Sequence, residues 1–157
     1  MESIDGEISI MKIEIDQSGR VEYTSKPTVL AFADGKTYSI IFLSRDKKYL
    51  QKIFRRAGIP NMFVYKVFAI LIFLLIKDFL KSNDEIIIDQ EYLGHDKMIK
   101  QFLIELFRRY KINLAYLDIS FRHIGKKSIA HQTAIEAYRA KRADRKITLK
   151  DILRIAF

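Results

Sequence analysis

Two pairs of acidic residues stand at the ends of apolar segments that have the pattern of β-strands. Glu14 and Asp16 alternate with isoleucines, and Asp89 and Glu91 follow the apolar run 86–88. Alternate residues of a strand share one face, roughly 6–7 Å apart. If the two strands are parallel neighbours, Asp16 and Asp89 meet at one edge of a sheet. Clustered carboxylates suit hard divalent cations, so Asp16, Asp89 and Glu91 are the predicted ligands of Mg²⁺ or Mn²⁺.

Three further residues are candidates for the chemistry of this site. Asp118 lies near the end of a third predicted strand, while His131 and Glu136 share a predicted helix. A histidine there can transfer a proton or orient a water molecule. The catalytic candidates are therefore Asp16, Asp89, Asp118, His131 and Glu136. With one or two cations, such a set would hydrolyse a phosphodiester. The simpler alternative is that the acids are solvated strand ends and His131 is structural.

Other chemistries find little support in the sequence. The absence of cysteine excludes disulfides, thiolate zinc sites, iron–sulfur clusters and cysteine nucleophiles. The three histidines, His95, His123 and His131, lack the spacing of a zinc site. The chain also lacks the glycine-rich phosphate-binding motifs and the Gly-x-Ser-x-Gly motif of hydrolases.

The elements that would position these residues follow from hydrophobic periodicity and turn signals. The predicted elements are a strand over 8–16, a hairpin of 28–32 and 38–43, helices over 45–56 and 62–80, a strand over 85–91, a helix through 99–110, a strand over 112–119, a helix over 128–143 and a short helix from 148. Ser44, Ser128 and Thr148 are the predicted N-caps. Antiparallel strands followed by strand–helix–strand crossovers predict an α/β domain, a mixed sheet with helices on both faces, covering residues 1–157.

The longest unbroken apolar segment, residues 67–76, has ten residues, about half of the roughly 20 that a membrane-spanning helix needs. We therefore expect a buried helix and no membrane span. The acidic N-terminus does not resemble a signal peptide, so we expect a cytoplasmic protein. Twenty-five isoleucines, abundant lysine and no cysteine or tryptophan resemble the composition of thermophile proteins.

Positive charge is concentrated in the last third of the chain. The net charge is +9, and residues 106–157 carry 13 basic and 4 acidic side chains. This asymmetry favours a nucleic acid as partner. We expect contacts from residues around a loop and the helix after it: Arg122, Lys126, Lys127, Arg139 and Arg142. A second basic set lies in the helix 45–56, where a solvated face is the ordinary explanation.

The element order resembles the ribonuclease H-like superfamily. Residues 13–19, Ile-Glu-Ile-Asp-Gln-Ser-Gly, are similar to the Asp-Glu-Ser-Gly start of an uncharacterised family of predicted ribonuclease H-like proteins. Asp89 stands where that superfamily has its second essential acid. The resemblance implies a five-stranded sheet of order 3-2-1-4-5 and a metal-dependent nuclease acting on RNA, an RNA–DNA hybrid or branched DNA.

The last long helix departs from that pattern. The family tends to have Gln-x-Ala-Asp, whereas this chain has Ile135 at the acidic position and an acid at Glu136. Glu136 followed by Ala137 is more similar to crossover-junction resolvases. The alternative function is therefore a catalytically inactive nucleic-acid-binding or protein-interaction module. The apolar C-terminal tail, residues 152–157, can dock on its own chain or form an oligomer contact.

Overall fold

The computed structural model describes residues 12–81, 84–113 and 117–157. Its strands are β1 (Lys12–Ser18), β2 (Thr28–Ala33), β3 (Thr37–Phe42), β4 (Glu85–Asp89), β5 (Asp118–Arg122) and β6 (Arg145–Ile147). Its helices are α1 (Ser44–Arg56), α2 (Phe63–Ile76), α3 (Asp96–Arg109), α4 (Ile129–Ala140) and α5 (Leu149–Ala156), with a short 3₁₀ turn over Pro60–Met62. The part of the first predicted strand before residue 12 lies outside the described residues.

The strands form one mixed sheet in the order β5-β4-β1-β2-β3-β6. β2 is antiparallel to β1 and β3, whereas β1–β4, β4–β5 and β3–β6 are parallel pairs. The expected number of five strands is wrong, because β6 adds a sixth strand beside β3. The other five strands keep the expected relative order. The carboxyl ends of β1, β3, β4 and β5 consequently lie at the same edge of the sheet.

Helices cover both faces of the sheet, as the alternation of its strands requires. On one face Leu30 and Phe32 belong to the large core around α2, whose residues 67–76 are all buried. On the other face Val29 and Ala31 pack with Ala134 of α4. Because α4 packs on the sheet through alanines, the helix also contacts β1, the strand that carries Asp16.

Element ends agree with the sequence in some places and differ in others. Ser128 caps α4 by accepting from two backbone N–H groups, and Thr148 and Asp151 form the predicted capping box of α5. The Ser44 cap is wrong, because its hydroxyl donates to the Thr24 carbonyl instead, at 2.6 Å. α2 and α4 end before the predicted residues 80 and 143. The last predicted strand begins later, at Asp118, and residues 114–116 of its expected range lie outside the described residues.

The C-terminal tail packs on its own chain. Ile152, Ile155 and Ala156 are buried beside α1 and α2, and the ring of Phe157 lies 5.3 Å from that of Phe54. Most of the apolar surface of the tail is therefore covered within the chain. Phe157, which follows α5, is the exposed large apolar side chain of the tail.

Across residues 12–81, 84–113 and 117–157, every helix is too short or too polar to span a bilayer. The long apolar helix α2 owes its composition to its position in the core, since 11 of its 14 residues are buried.

Candidate metal centre

Parallel pairing of β1 and β4 brings the two predicted acidic strand ends together. Ile13 is opposite Ile86 and Ile15 opposite Ile88, so Asp16 and Asp89 are the next residues along each strand. These four isoleucines point into the core around α2. Because successive residues of a strand point to opposite faces, Asp16 and Asp89 point to the α4 face. Glu91 follows two residues after Asp89, beyond the end of β4. The predicted juxtaposition of Asp16 and Asp89 is thus present.

The three carboxylates form one compact cluster. One oxygen each from Asp16, Asp89 and Glu91 can be chosen so that all three lie within 4.8 Å of one another. In the octahedral shell of one Mg²⁺ at 2.0–2.1 Å, oxygens are about 2.9 Å apart when cis and about 4.2 Å apart when trans, so the three carboxylates would draw closer together to bind one ion. Asp16 is 4% exposed, whereas Asp89 and Glu91 are partly open to solvent. The donor set and its spacing fit a hard divalent cation.

Hydrogen bonds fix the orientation of both aspartates. Asp16 Oδ1 accepts from the Gln17 backbone N–H at 2.7 Å, and Oδ2 lies 2.7 Å from His131 Nδ1. Asp89 Oδ1 accepts from the backbone N–H of Ile124 at 2.8 Å. Each carboxylate retains lone pairs beyond these contacts, because two oxygens can accept about four hydrogen bonds. The aspartates are therefore held in place with coordinating capacity to spare.

Arg20 and Tyr92 support the third carboxylate. The Arg20 guanidinium lies 3.4 Å from Glu91 Oε2, donates to the Glu91 carbonyl at 3.0 Å, and stacks over Tyr92 at 4.5 Å. Tyr92 is buried, and its hydroxyl donates to Glu22 and accepts from the Val21 N–H. The β1–β2 connection is thereby tied to the segment that carries Glu91. A fixed cation on one side of Glu91 offsets part of the charge of the cluster.

The proximity of the acids changes their proton affinities. Burial, followed by the charge of Asp89, raises the pKa of Glu91 to about 7, and Arg20 opposes this shift. Burial also raises the pKa of Asp16; the Gln17 N–H opposes that rise, the charge of Asp89 adds to it, and His131 opposes it. Both shifts favour proton binding in the folded protein, because burial and the neighbouring negative charge disfavour the ionised form. A bound cation would reverse this preference.

We expect divalent-cation binding to strengthen as the pH rises through the pKa of Glu91. A carboxyl group coordinates when ionised, and Glu91 loses its proton near pH 7. From about pH 6 to about pH 8, the affinity for Mn²⁺ should rise about tenfold through Glu91 alone. Without cation the same raised pKa lowers the free energy of unfolding as the pH rises from the usual glutamate value toward 7. Titration calorimetry at the two pH values measures the first effect. In Glu91→Gln, a pH dependence as steep as that of the wild type would contradict this assignment.

The other predicted catalytic residues divide into one at the cluster and two away from it. His131 contacts Asp16 directly. Asp118 is exposed and lies opposite Glu85 in the β4–β5 register, at the start of both strands. Asp89 lies opposite Arg122, four residues further along, which is about 13 Å away along the strand. Glu136 is exposed and lies about 140° around α4 from His131 at 100° per residue. The structure therefore does not bring Asp118 or Glu136 to the cluster.

The predicted nucleic-acid contacts are also only partly gathered at the site. Lys126 and Lys127 are exposed on the loop whose Ile124 N–H binds Asp89. The Arg122 side chain pairs instead with Glu85 at 2.9 Å, toward the opposite strand end. Arg139 and Arg142 are exposed near the other end of α4, about 12 Å or more along its axis from His131. Of the five cations, the two lysines are the ones on the loop that contacts Asp89.

Sequence reasoning did not find Arg20, Tyr92 or Gln17 as parts of this site. Arg20 and Glu91 are separated by 71 residues, and a single arginine after a turn carries no motif. One weak signal was available, since Arg20 follows Gly19 just beyond the acidic end of β1. Comparison with protein-family models and with curated proteins finds no match to the chain.

Proposed function

We propose that the protein is a metal-dependent phosphodiesterase that acts on nucleic acid, with Asp16, Asp89 and Glu91 holding Mg²⁺ or Mn²⁺. The observation that carries this proposal is the approach of the three carboxylate oxygens within 4.8 Å at the carboxyl ends of two adjacent parallel strands. A divalent cation at such a site would polarise a phosphate and activate water. Lys126 and Lys127 are exposed on the loop whose Ile124 N–H binds Asp89, and their positive charge favours approach of a polyanion.

The protein's own residues have separate roles in this proposal. An ionised Asp16 only accepts hydrogen bonds, so His131 must carry its proton on Nδ1 at the 2.7 Å contact. The neutral imidazole then has Nε2 free as a proton acceptor. His131 thus orients Asp16 and can receive a proton from a water molecule. Arg20 holds Glu91 in place and keeps part of its negative charge neutralised.

The sheet supports a ribonuclease H-like assignment for the fold. β3, β2, β1, β4 and β5 are adjacent in that order, as the resemblance implies. Asp16 lies near the end of β1 and Asp89 ends β4. β6 is an addition at the far edge, beside β3, and does not alter the acid cluster. The substrate class that follows is RNA, an RNA–DNA hybrid or branched DNA.

Cleavage of labelled substrates from those three classes tests the activity. We expect metal-dependent cleavage of at least one substrate with Mg²⁺ or Mn²⁺, complete loss with a chelator, and recovery when the metal is returned in excess. Activity that persists in the chelator would contradict the metal-dependent mechanism. Absence of cleavage of all three substrates with either metal would contradict the proposed activity.

A binding module without catalysis is the second candidate function, and one observation favours it. α4 presents His131 to Asp16, whereas its acid Glu136 is exposed on another side of the helix. Within the described residues the cluster therefore has three carboxylates and no acid from α4. Such a module would bind nucleic acid with a steep salt dependence and would not need the cation. Binding that is unchanged by chelator, together with no cleavage, would support this alternative.

A further inference from the structure

A stripe of positive charge runs along the solvent side of α1. Arg45, Lys48, Lys52, Arg55 and Arg56 are exposed, and Tyr49 among them is 55% exposed. At 100° per residue these six side chains fall within about 120° of the helix circumference. Lys47, Leu50 and Phe54 occupy the opposite side and are buried. Five of the six basic residues of α1 thus lie on one face, and the sixth, Lys47, is buried on the other side. We name this face the α1 stripe.

The cations of the α1 stripe have no acidic partner among the described residues. Every ion pair found within residues 12–81, 84–113 and 117–157 involves other side chains. Asp46, the acid of this helix, instead accepts a hydrogen bond from the Leu149 N–H at the start of α5. Five uncompensated charges on one helix face repel one another, which a polyanionic partner would relieve.

The α1 stripe is long enough to contact several phosphates of a nucleic acid backbone. From Arg45 to Arg56 the helix rises about 16 Å at 1.5 Å per residue. One strand of a duplex carries about five phosphates over that length of axis, at 3.4 Å per phosphate. The strand also winds about half a turn there, so the α1 stripe can face only some of these phosphates. Arginine and lysine bind phosphates through charge, and a tyrosine hydroxyl can donate to a phosphate oxygen. Charge, length and residue type are therefore compatible with a contact to a nucleic acid backbone.

The α1 stripe begins at the sheet edge that carries the acid cluster. β3 is parallel to β1, so α1 starts at the same edge at which Asp16 lies. The buried Lys47 donates to the Arg20 carbonyl at 3.2 Å, and Ser44 donates to the Thr24 carbonyl at 2.6 Å. These bonds attach the start of α1 to the β1–β2 connection, whose Arg20 contacts Glu91. The start of α1 is thus linked to the segment that contacts Glu91, while Leu50 and Phe54 pack the rest of the helix on the α2 face of the sheet, opposite the acids.

We propose that the α1 stripe is a sequence-independent binding surface for the phosphate backbone of a nucleic acid duplex. This surface goes beyond the proposed function, because binding on it requires neither the cation nor cleavage. It also differs from the predicted contacts of the last third of the chain, which lie on the loop before α4 and at the end of α4.

The test compares two triple variants that remove the same charges. One carries Lys48→Gln, Lys52→Gln and Arg55→Gln on the α1 stripe. The other carries Lys97→Gln, Lys100→Gln and Arg108→Gln on α3, where all three residues are exposed and Glu105 lies among them. Binding of a fluorescein-labelled DNA duplex is measured across salt concentrations in the presence of a chelator. The chelator removes any contribution of a cation bound at the acid cluster, so a failure here is distinct from a failure of the proposed function.

We expect the α1 variant to lower the slope of log affinity against log salt by roughly two to three units, about one for each phosphate contact removed. The α3 variant should leave the slope within about half a unit of the wild type. Equal losses in both variants would mean that total charge matters rather than this surface, and would overturn the proposal. An unchanged slope in the α1 variant would overturn it too. Binding to vesicles of phosphatidylserine and phosphatidylcholine is measured on the same variants. If the α1 variant lost vesicle binding but kept duplex binding, the partner would be a lipid surface, and the proposal would be overturned.

Discussion

Asp89→Asn is expected to lower metal-dependent cleavage about a thousandfold, a change of about 4 kcal/mol in the activation free energy. The substitution removes one negative charge from the cluster in which Asp16, Asp89 and Glu91 converge. The asparagine oxygen can still accept the hydrogen bond from the Ile124 N–H, so the loop before α4 should stay in place. Single-turnover rates at saturating Mn²⁺ give the comparison, and thermal unfolding verifies that the variant is folded.

Asp118→Asn is the matched control for this experiment. It removes the same charge from the start of β5, opposite Glu85 in the strand register and far from the cluster. We expect its cleavage rate to stay within about twofold of the wild type, because an exposed charge at that distance is largely screened by salt. Equal losses in the two variants, or an unchanged rate in Asp89→Asn, would contradict the assignment of Asp89 as a ligand.

Gly19→Ala is expected to lower the free energy of unfolding by about 3 kcal/mol or more, a large part of the stability of an ordinary domain. Gly19 has a φ of +79°, which costs a residue with a side chain about 1 kcal/mol. A Cβ atom there would also lie 2.2 Å from the Pro27 carbonyl oxygen and 2.6 Å from the ring of Tyr138. Relief of the clash would move α4, which carries His131, or the β1–β2 connection, which carries Arg20. Urea unfolding measures the loss.

Gly58→Ala separates the clash from the backbone conformation. Gly58 has nearly the same φ, +77°, but a Cβ atom there would meet nothing within 4 Å. We expect this variant to lose only about 1 kcal/mol, the cost of the left-handed conformation. If Gly19→Ala lost no more free energy of unfolding than Gly58→Ala, the predicted clash of the added Cβ with Pro27 and Tyr138 would be contradicted.

The main elements of the site were predictable because their signals are local. Asp16 and Asp89 each end a run of isoleucines, and a helical crossover between strands of such composition favours parallel neighbours. The Ser128 and Thr148 caps follow from short-range hydrogen-bonding patterns, and both are present. Hydrophobic pattern and caps therefore suffice to place two of the three carboxylates at the same edge.

The parts that the sequence did not predict depend on contacts between distant residues. Glu136 was a candidate because of its neighbours in sequence, but the alanines that pack on the sheet determine which side of α4 faces Asp16. β6 has three residues and one buried apolar side chain, too little for a periodic signal. Its position follows from Asp144, which accepts from the Ser39 N–H at 2.9 Å across 105 residues of chain.

Anomalous scattering from crystals grown with Mn²⁺ tests the central claim most directly, because it locates the cation without reference to activity. We predict a peak in the anomalous difference map within coordinating distance of Asp16, Asp89 and Glu91, the residues whose oxygens converge within 4.8 Å. The same peak should be absent from crystals of Asp16→Asn grown under identical conditions. A map at saturating Mn²⁺ with no peak among these three carboxylates, or one whose peak persists in Asp16→Asn, would contradict the account.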